Sequence, residues 1–323
     1  MKVLVTGVSG FIGRHVAEHL IKNTDHALVG IVRPDTAAER VATLSDHMVL
    51  EAVDLGDAEA LKQFLSGHQF DVILHIGALR GGRPYPRHTY LAVNVEATRV
   101  LLQYALAQNA RFIFCSSVGV FGAIPQSLPA DNATPRQPDT FYHFTKIEAE
   151  RWVLEFVKQG VEAVIVRPSI TYGQGDYGFP YTLVRLVDHR MLLLPVRKVF
   201  IHLTHVEFLV QVFEKLMTHP IVSGAAYIVA DKSPVSLQEL ADFIHQELHG
   251  KPYPSRRKLP VFLFDWAAAF FKLLRNDSWC TRFQLISQSW YYSIENTLND
   301  LQILPVATIP AFKTVTDWYK RVN

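Results

Sequence analysis

Tyr142 and Lys146 stand four residues apart in Tyr142-His143-Phe144-Thr145-Lys146. On a helix that spacing puts a phenol and an ammonium on one face, one turn apart. An ammonium beside a phenol favours the phenolate. The pair is therefore expected to pull the tyrosine below its ordinary value of about 10, where it can exchange a proton with a substrate oxygen. Ser117, in Ser116-Ser117-Val118-Gly119-Val120-Phe121-Gly122, could hydrogen-bond the same oxygen. It follows the apolar run Phe112–Cys115, so it stands at the carboxyl end of a strand, where open α/β sheets bind ligands. Each feature alone is ambiguous: Tyr/Lys pairs at this spacing are common on helix surfaces, and loop serines often cap backbone groups.

Thr6-Gly7-Val8-Ser9-Gly10-Phe11-Ile12-Gly13 adds a cofactor to that proton chemistry. It follows the apolar run Lys2–Val5 and opens an amphipathic stretch, Phe11–Lys22. Strand, glycine turn and helix start form the context that a dinucleotide pyrophosphate needs. Gly7 serves the turn, Gly10 lets the main chain approach the phosphates, and Gly13 lets the helix pack on the strand. The helix N-terminus offers free N–H groups and partial positive charge.

The elements that must position these groups are legible as alternation. Short apolar runs recur at Val3–Val5, Ala27–Val32, Met48–Val53, Val72–Ile76, Phe112–Cys115, Ala163–Val166 and Ala226–Ala230. Between the first six lie helix-like stretches at Phe11–Lys22, Asp57–Phe64, Ala92–Ala107 and Phe141–Lys158. This predicts an α/β fold: a Rossmann-type doubly wound parallel sheet of about seven strands. The runs lack polar alternation, as strands buried on both faces do. After Arg167-Pro168, glycines 173, 175 and 178 and Pro180 break the pattern. Ser236 and Glu239 form a capping box for a helix over Leu237–Leu248. The expected division is a dinucleotide-binding domain over 1–168 plus roughly 199–232. A smaller, mainly helical substrate lobe takes roughly 169–198 plus 233–323.

The chain has 323 residues, 49% of them hydrophobic, and Lys+Arg 32 against Asp+Glu 30 leaves a net charge of +2. That balance gives no reason to expect nucleic acid. Cys115 and Cys280 make no disulfide framework, and no leader precedes the first strand. A reducing, cytoplasmic location is the expectation. His15/His19 and His202/His205 are isolated pairs, so no metal is expected. The segment Leu259–Leu274 is greasy but carries Asp265 and Lys272 and follows Arg256, Arg257 and Lys258. It is shorter than the ~20 residues a spanning helix needs. It reads as a helix packed on the core, or as a surface making weak contact with lipid or a greasy ligand.

In order along the chain, these motifs resemble the extended short-chain dehydrogenase/reductases of the NAD-dependent epimerase/dehydratase type. Asp54-Leu55, His75-Ile76-Gly77-Ala78, Asn94-Val95-Glu96-Ala97-Thr98 and Arg167-Pro168-Ser169…Tyr172-Gly173 join the resemblance. It is dense to about residue 173 and looser beyond. It implies Ser117 as catalytic serine, Tyr142 as general acid/base and Lys146 as its partner. Gly7, Gly10, Phe11, Ile12 and Gly13 would hold the diphosphate. Asp54 and Leu55 would flank the adenine, and Gly77 and Ala78 would lie along the cofactor. Ser116, Pro168 and Ser169 complete the expected cofactor set. Asn94 either contacts the cofactor region or is a buried structural residue. Gly77 replaces a usual alanine, a change expected to be harmless. Many relatives form homodimers through two long helices, here Ala92–Ala107 and Phe141–Lys158.

Cofactor and substrate are read from departures. The run Ala27–Val32 ends in Arg33-Pro34, not in the carboxylate that selects NAD. Arg33 could pair with a 2′-phosphate, so NADP is expected, with NAD as the alternative and a surface arginine beside Asp35 as the plain reading. Relatives acting on nucleotide sugars carry an asparagine where this chain has Ile170. They also carry a basic residue shortly before the element that reads His205-Val206-Glu207 here; Ile201–Thr204 supplies none, though Arg197 and Lys198 lie nearby. The main expectation is therefore hydride transfer between NADP(H) and an apolar alcohol or ketone, as in the hydroxysteroid dehydrogenase and dihydroflavonol reductase-like branch. Ile170, Phe179, Tyr181 and His205 would line the substrate site. The first alternative is a nucleotide-sugar epimerase with tightly bound NAD. A dehydratase fits less well, because no acidic residue adjoins Ser117. The second alternative is a non-catalytic NADP-binding sensor.

Overall fold

The computed structural model describes residues 1–80, 85–274 and 277–323. Seven strands form the central sheet: β1 Lys2–Thr6, β2 Ala27–Val32, β3 Val49–Ala52, β4 Val72–His75, β5 Arg111–Cys115, β6 Ala163–Pro168 and β7 Ala226–Val229. Their spatial order is β7-β6-β5-β4-β1-β2-β3. Every neighbouring pair is parallel. The order reverses between β1 and β4, and ligands bind above the carboxyl ends at such a switch point. Parallel strands need crossovers, and buried Val, Ile, Leu and Phe side chains cover both faces of the sheet.

The longer helices are α1 Phe11–Asn23, α2 Ala58–Ser66, α3 Ala97–Gln108, α4 Phe141–Lys158, α5 Phe179–Asp188, α6 Val206–Thr218, α7 Leu237–His249, α8 Val261–Leu273, α9 Asp277–Ser287 and α10 Lys313–Val322. Their starts follow local chemistry. Asp57 caps α2 by accepting from the amides of Glu59 and Ala60. Thr140 caps α4 through His143 N at 3.1 Å. Ser236 caps α7 through Glu239 N at 3.1 Å. The reciprocal half of that capping box is missing, because Glu239 faces Lys198 at 3.5 Å instead.

The predicted helix over Ala92–Ala107 departs from expectation. Arg87–Leu91 is α-helical, Ala92–Glu96 is a π turn, and α3 follows. π turns recur at functional sites, and this one carries Asn94. Three two-stranded ribbons also escape prediction: Ile170–Tyr172 with Leu203–His205, Phe200–Ile201 with Val235–Ser236, and Leu194–Pro195 with Lys258–Leu259. Two or three residues are too few to show a period. A further core joins Leu183, Val184, Leu192, Leu240, Ile244, Trp290 and Phe312 to Val118 and Phe121 of the serine loop.

Candidate active site

At the glycine turn, space decides each residue. Gly7 has φ +77°, and a Cβ there would lie 2.7 Å from Gly77 Cα. Gly10 N donates to Gly7 O at 2.9 Å. No side chain caps α1, so its first amides are left for an anionic ligand. A Cβ on Gly13 would lie 2.2 Å from Gly7 O. Gly13→Ala should therefore push α1 off β1. A loss of about 1–3 kcal/mol in denaturant unfolding is expected, together with weakened dinucleotide binding; an unchanged midpoint and affinity would show that the turn has slack.

Gly77 is more than a harmless replacement. A Cβ there would meet Leu55 Cδ1 at 2.7 Å and Thr6 Oγ1 at 3.0 Å. The exit of β4 lies close to the glycine turn, and a side chain at 77 would need Leu55 to shift. Thr6 Oγ1 accepts from Ile76 N at 3.1 Å and Gly77 N at 2.9 Å. Its hydroxyl donates to His75 Nδ1 at 2.8 Å. His75 Nε2 donates to Thr98 Oγ1 at 2.9 Å, and that hydroxyl donates to Asn94 O at 2.8 Å. This chain needs a neutral imidazole, and burial, helped by the charge of Lys146, pushes His75 down to about 3.

The adenine end is open. Asp54 is exposed and its Oδ1 accepts from Gly56 N at 2.8 Å, while Leu55 is buried beneath. Arg33 follows β2 with its Nε 3.6 Å from Asp35 Oδ1, both side chains largely exposed.

Helix α4 packs against the serine loop that follows β5. Ser117 is half-buried directly after β5, and its Oγ accepts from Gly119 N at 3.0 Å, leaving the hydroxyl proton to donate. A Cβ on Gly119 would lie 2.3 Å from the ring of His143, so α4 closes directly on this loop. Tyr142 is half-buried beside it. Lys146 is buried; its Nζ donates to Cys115 O at 2.8 Å and lies 4.7 Å from the Phe114 ring centroid.

The expected lowering of the phenol is not what the structure shows. Burial pushes Tyr142 above its usual range, the nearby Cys115 and Tyr90 add to the rise, and only Arg80 opposes it. Burial also brings Lys146 down to about 8. Desolvation dominates, and Lys146 is not among the groups that shift the phenol, which stays protonated at neutral pH. Because the folded value of Lys146 lies below its ordinary 10.5, its burial penalty is full below about pH 8 and fades as pH rises toward 10.5. Lys146→Met should therefore melt a few degrees higher than wild type at pH 7. That advantage should shrink by pH 10; an advantage that grew with pH would reverse the sign.

Three expected cofactor contacts are internal instead. Ser116 Oγ donates to Glu150 Oε1 at 2.7 Å. Ser169 Oγ donates to His202 O, and its amide points to Thr204 Oγ1 at 3.1 Å. Asn94 Oδ1 accepts from Leu79 N at 2.7 Å, and its Nδ2 donates to Leu79 O at 2.9 Å and Thr145 Oγ1 at 3.0 Å. Asn94 thus ties the segment after β4 to α4 and positions Tyr142 from behind. Pro168 is buried as the last residue of β6. Phe11, Ile12 and Ala78 are half-buried beside the glycine turn, as a cofactor wall requires.

Sequence reasoning missed the buried base of the site. Arg167 Nε and Nη2 grip the two oxygens of Glu150 at 2.8 and 2.7 Å. Arg136 Nη2 lies 3.1 Å from the same carboxylate, and Arg167 Nη1 donates to Asn132 Oδ1 at 2.9 Å. Burial works against the Glu150 charge, yet these partners hold its carboxyl below the usual range. Their spacing along the chain carries no period to detect. Asp139 and His143, an i/i+4 pair, were within reach: His143 Nδ1 bonds Asp139 Oδ1, and Asp139 Oδ2 accepts from Ala123 N at 2.8 Å.

The proposed substrate wall is only partly assembled. Ile170 and Phe179 are half-buried against the second core. Tyr181 turns instead to the C-terminal helix, its OH 3.2 Å from Asn323 Oδ1 and its ring 5.4 Å from Trp318. His205 is buried against Tyr172, with its amide on Asp231 Oδ1 at 2.8 Å, and burial lowers its imidazole. Asp231 also accepts from Tyr172 and Thr308, each at 2.6 Å, and burial raises it to about 6. His202 is paired on both nitrogens, with Asp231 O and Tyr292 N. Among the described residues no three His, Cys, Asp or Glu side chains gather to hold a metal.

Comparisons with known proteins identify the family and the fold. The chain is 28% identical over 214 residues to dTDP-glucose 4,6-dehydratase 1 of Escherichia coli (strain K12), covering 58% of each chain. It is 27% identical over 249 residues to UDP-glucose 4-epimerase of Vibrio cholerae, covering 74% of this chain and 73% of that one. It spans 58% of the length of the first curated relatives it matches. Among solved structures, UDP-glucuronic acid 4-epimerase from Bacillus cereus in complex with NAD superposes with a TM-score of 0.78 at 20% identity, over 100% of this chain and 99% of that one. The family model "NAD dependent epimerase/dehydratase family" matches residues 3–227, and the chain belongs to that family.

Proposed function

We propose that the protein catalyses nicotinamide-dependent hydride transfer at a carbinol carbon, with a sugar-nucleotide epimerase cycle as the leading form. The observation that carries it is Lys146 Nζ held on Cys115 O at the end of β5, with Ser117 on the loop that follows and Tyr142 one turn earlier on α4, together with the uncapped helix amides after the glycine turn. The names of its relatives, epimerases and dehydratases of nucleotide sugars, support the substrate class. No carboxylate adjoins Ser117, which favours epimerisation over dehydration.

The site fits a dinucleotide. Gly7, Gly10, Phe11, Ile12 and Gly13 would hold the diphosphate, Asp54 and Leu55 would border the adenine, and Gly77 and Ala78 would line the path between. When bound, the nicotinamide supplies the hydride acceptor and donor. Tyr142 gives its phenolic proton to a carbonyl oxygen or takes one from a hydroxyl. Ser117 donates a hydrogen bond to the same oxygen. Lys146 keeps one N–H on Cys115 O and would have its others free for the ribose of a bound dinucleotide. Two copies of the chain would associate through α3 and α4.

A second reading, an apolar alcohol or ketone with NADP, has specific support. Ile170 stands where nucleotide-sugar enzymes carry an asparagine, and Ile201–Thr204 supplies none of the basic residues they carry before the following element. Arg197 donates to Ser287 O at 3.0 Å, and exposed Lys198 faces Glu239. Arg33 stands at the tip of β2 with only a loose partner. The deciding experiment denatures the purified protein and identifies any released dinucleotide. It then assays UDP-hexose interconversion with no cofactor added. Released NAD with interconversion establishes the epimerase; no released dinucleotide, with NADPH consumed by ketones, establishes the second reading. Arg33→Asp should weaken any NADP binding by about tenfold or more, the scale of one bidentate phosphate contact. Equal NADP affinity in titration would remove Arg33 from the site.

A further inference from the structure

Helix α8 is mostly apolar, with Asp265 and Lys272 as its charged residues, yet the fold buries only part of its apolar surface. Phe264 and Ala268 are buried, 4% and 9% exposed. Phe262, Trp266, Phe270 and Leu273 recur at i, i+4, i+8 and i+11, which is one stripe of an α-helix. They are 57%, 75%, 57% and 81% exposed, with Leu263 and Leu274 beside them. Helix α9 packs against α8 as a hairpin: the Phe271 ring lies 5.7 Å from Trp279 and 5.6 Å from Phe283. A contiguous apolar patch of this kind marks a binding surface.

Charge identifies the occupant. Among the described side chains of residues 255–282, five are basic, Arg256, Arg257, Lys258, Lys272 and Arg282, against one acidic, Asp265. The whole chain is only +2, so the remainder is net negative and positive charge is concentrated around the patch. Arg282 lies 4.9 Å from the Trp279 ring, placing a cation beside an interfacial aromatic. An isologous dimer through this face would set basic rim against basic rim. Tryptophans, exposed aliphatics and a basic rim suit an anionic lipid headgroup layer instead. Among the described residues no helix is long and apolar enough to cross a membrane, so contact would be in the plane of the surface.

We propose that the α8–α9 hairpin docks the protein on anionic phospholipid membranes, with the Phe262–Trp266–Phe270–Leu273 stripe entering the headgroup–acyl boundary. The full chain should co-sediment with vesicles of phosphatidylcholine and 30% phosphatidylglycerol at least about tenfold more strongly than with phosphatidylcholine alone. Binding should weaken between 0.1 and 0.5 M salt, where the Debye length falls well below 10 Å. Trp266→Ser/Phe270→Ser/Leu273→Ser should lose at least about tenfold of vesicle binding while keeping the wild-type melting temperature, since these side chains are exposed. Arg256→Gln/Arg257→Gln/Lys258→Gln should lose the preference for anionic lipid. Equal sedimentation with both vesicle types, or none, overturns the proposal. So does light scattering that shows the apolar variant breaking a dimer which wild type forms without lipid. None of these readouts depends on the enzymatic reading.

Discussion

Tyr142→Phe should lower kcat by about 10²- to 10⁴-fold, the usual range for removing a positioned general acid/base. The phenol is protonated at neutral pH, and burial pushes it further above its ordinary range. Losing the hydroxyl therefore removes the proton that a carbonyl oxygen needs. The ring remains, half-buried on the first turn of α4, so the contact between His143 and Gly119 and the grip of Lys146 on Cys115 O should persist. Dinucleotide affinity, measured by fluorescence titration, should change by less than about threefold, well under 1 kcal/mol. Turnover near wild type would take Tyr142 out of the reaction. A collapse of cofactor affinity together with kcat would show that the residue is structural. Asn94→Ala offers a contrast: it frees the Leu79 segment and Thr145 without touching the phenol, so it should loosen the placement of Tyr142.

Arg167→Met should destabilise the protein by about 3–5 kcal/mol, because removing one partner of a buried pair strands the other charge. Arg167 and Glu150 are 1% exposed each, and the rest of the guanidinium is engaged too: Nη1 donates to Asn132 and Cζ lies 5.3 Å from the Phe121 ring centroid. Half-exposed Arg136 would remain on Glu150 but cannot replace two short bonds. Removing both charges, as Arg167→Met/Glu150→Leu, should recover part of that loss, since no buried charge is then left alone. The cluster also sets a pH dependence. Glu150 is held below its ordinary 4.5, so its contribution is fully present above that value and lost as pH falls through the lower folded value. Urea unfolding at pH 7 and pH 4 measures both effects. A loss under about 1 kcal/mol for Arg167→Met would mean that water reaches the carboxylate.

The architecture was legible because its signals are local. Apolar runs of three to six residues marked all seven strands of the sheet, and Phe141–Lys158 emerged with both ends as read. Gly7, Gly10 and Gly13 could be read because a strand, a turn and a helix start adjoin in sequence. Ser117, Tyr142 and Lys146 could be singled out by type and spacing, and the family resemblance ordered them. What failed depends on distant partners. Ser116, Ser169 and Asn94 look like cofactor ligands until Glu150, His202 and Leu79 are seen to occupy them. The paired strands of two or three residues are stabilised by their neighbours and leave no pattern of their own.

Residue identities alone therefore determined the nucleotide-binding architecture and the kinds of groups that could react, since strand, turn and helix starts are written in neighbouring side chains. Only the tertiary structure decided the state of those groups. The direction of the Tyr142 shift, the anchoring of Lys146 and the bare outer face of α8 all depend on how much water packing excludes, and that is a property of the whole fold.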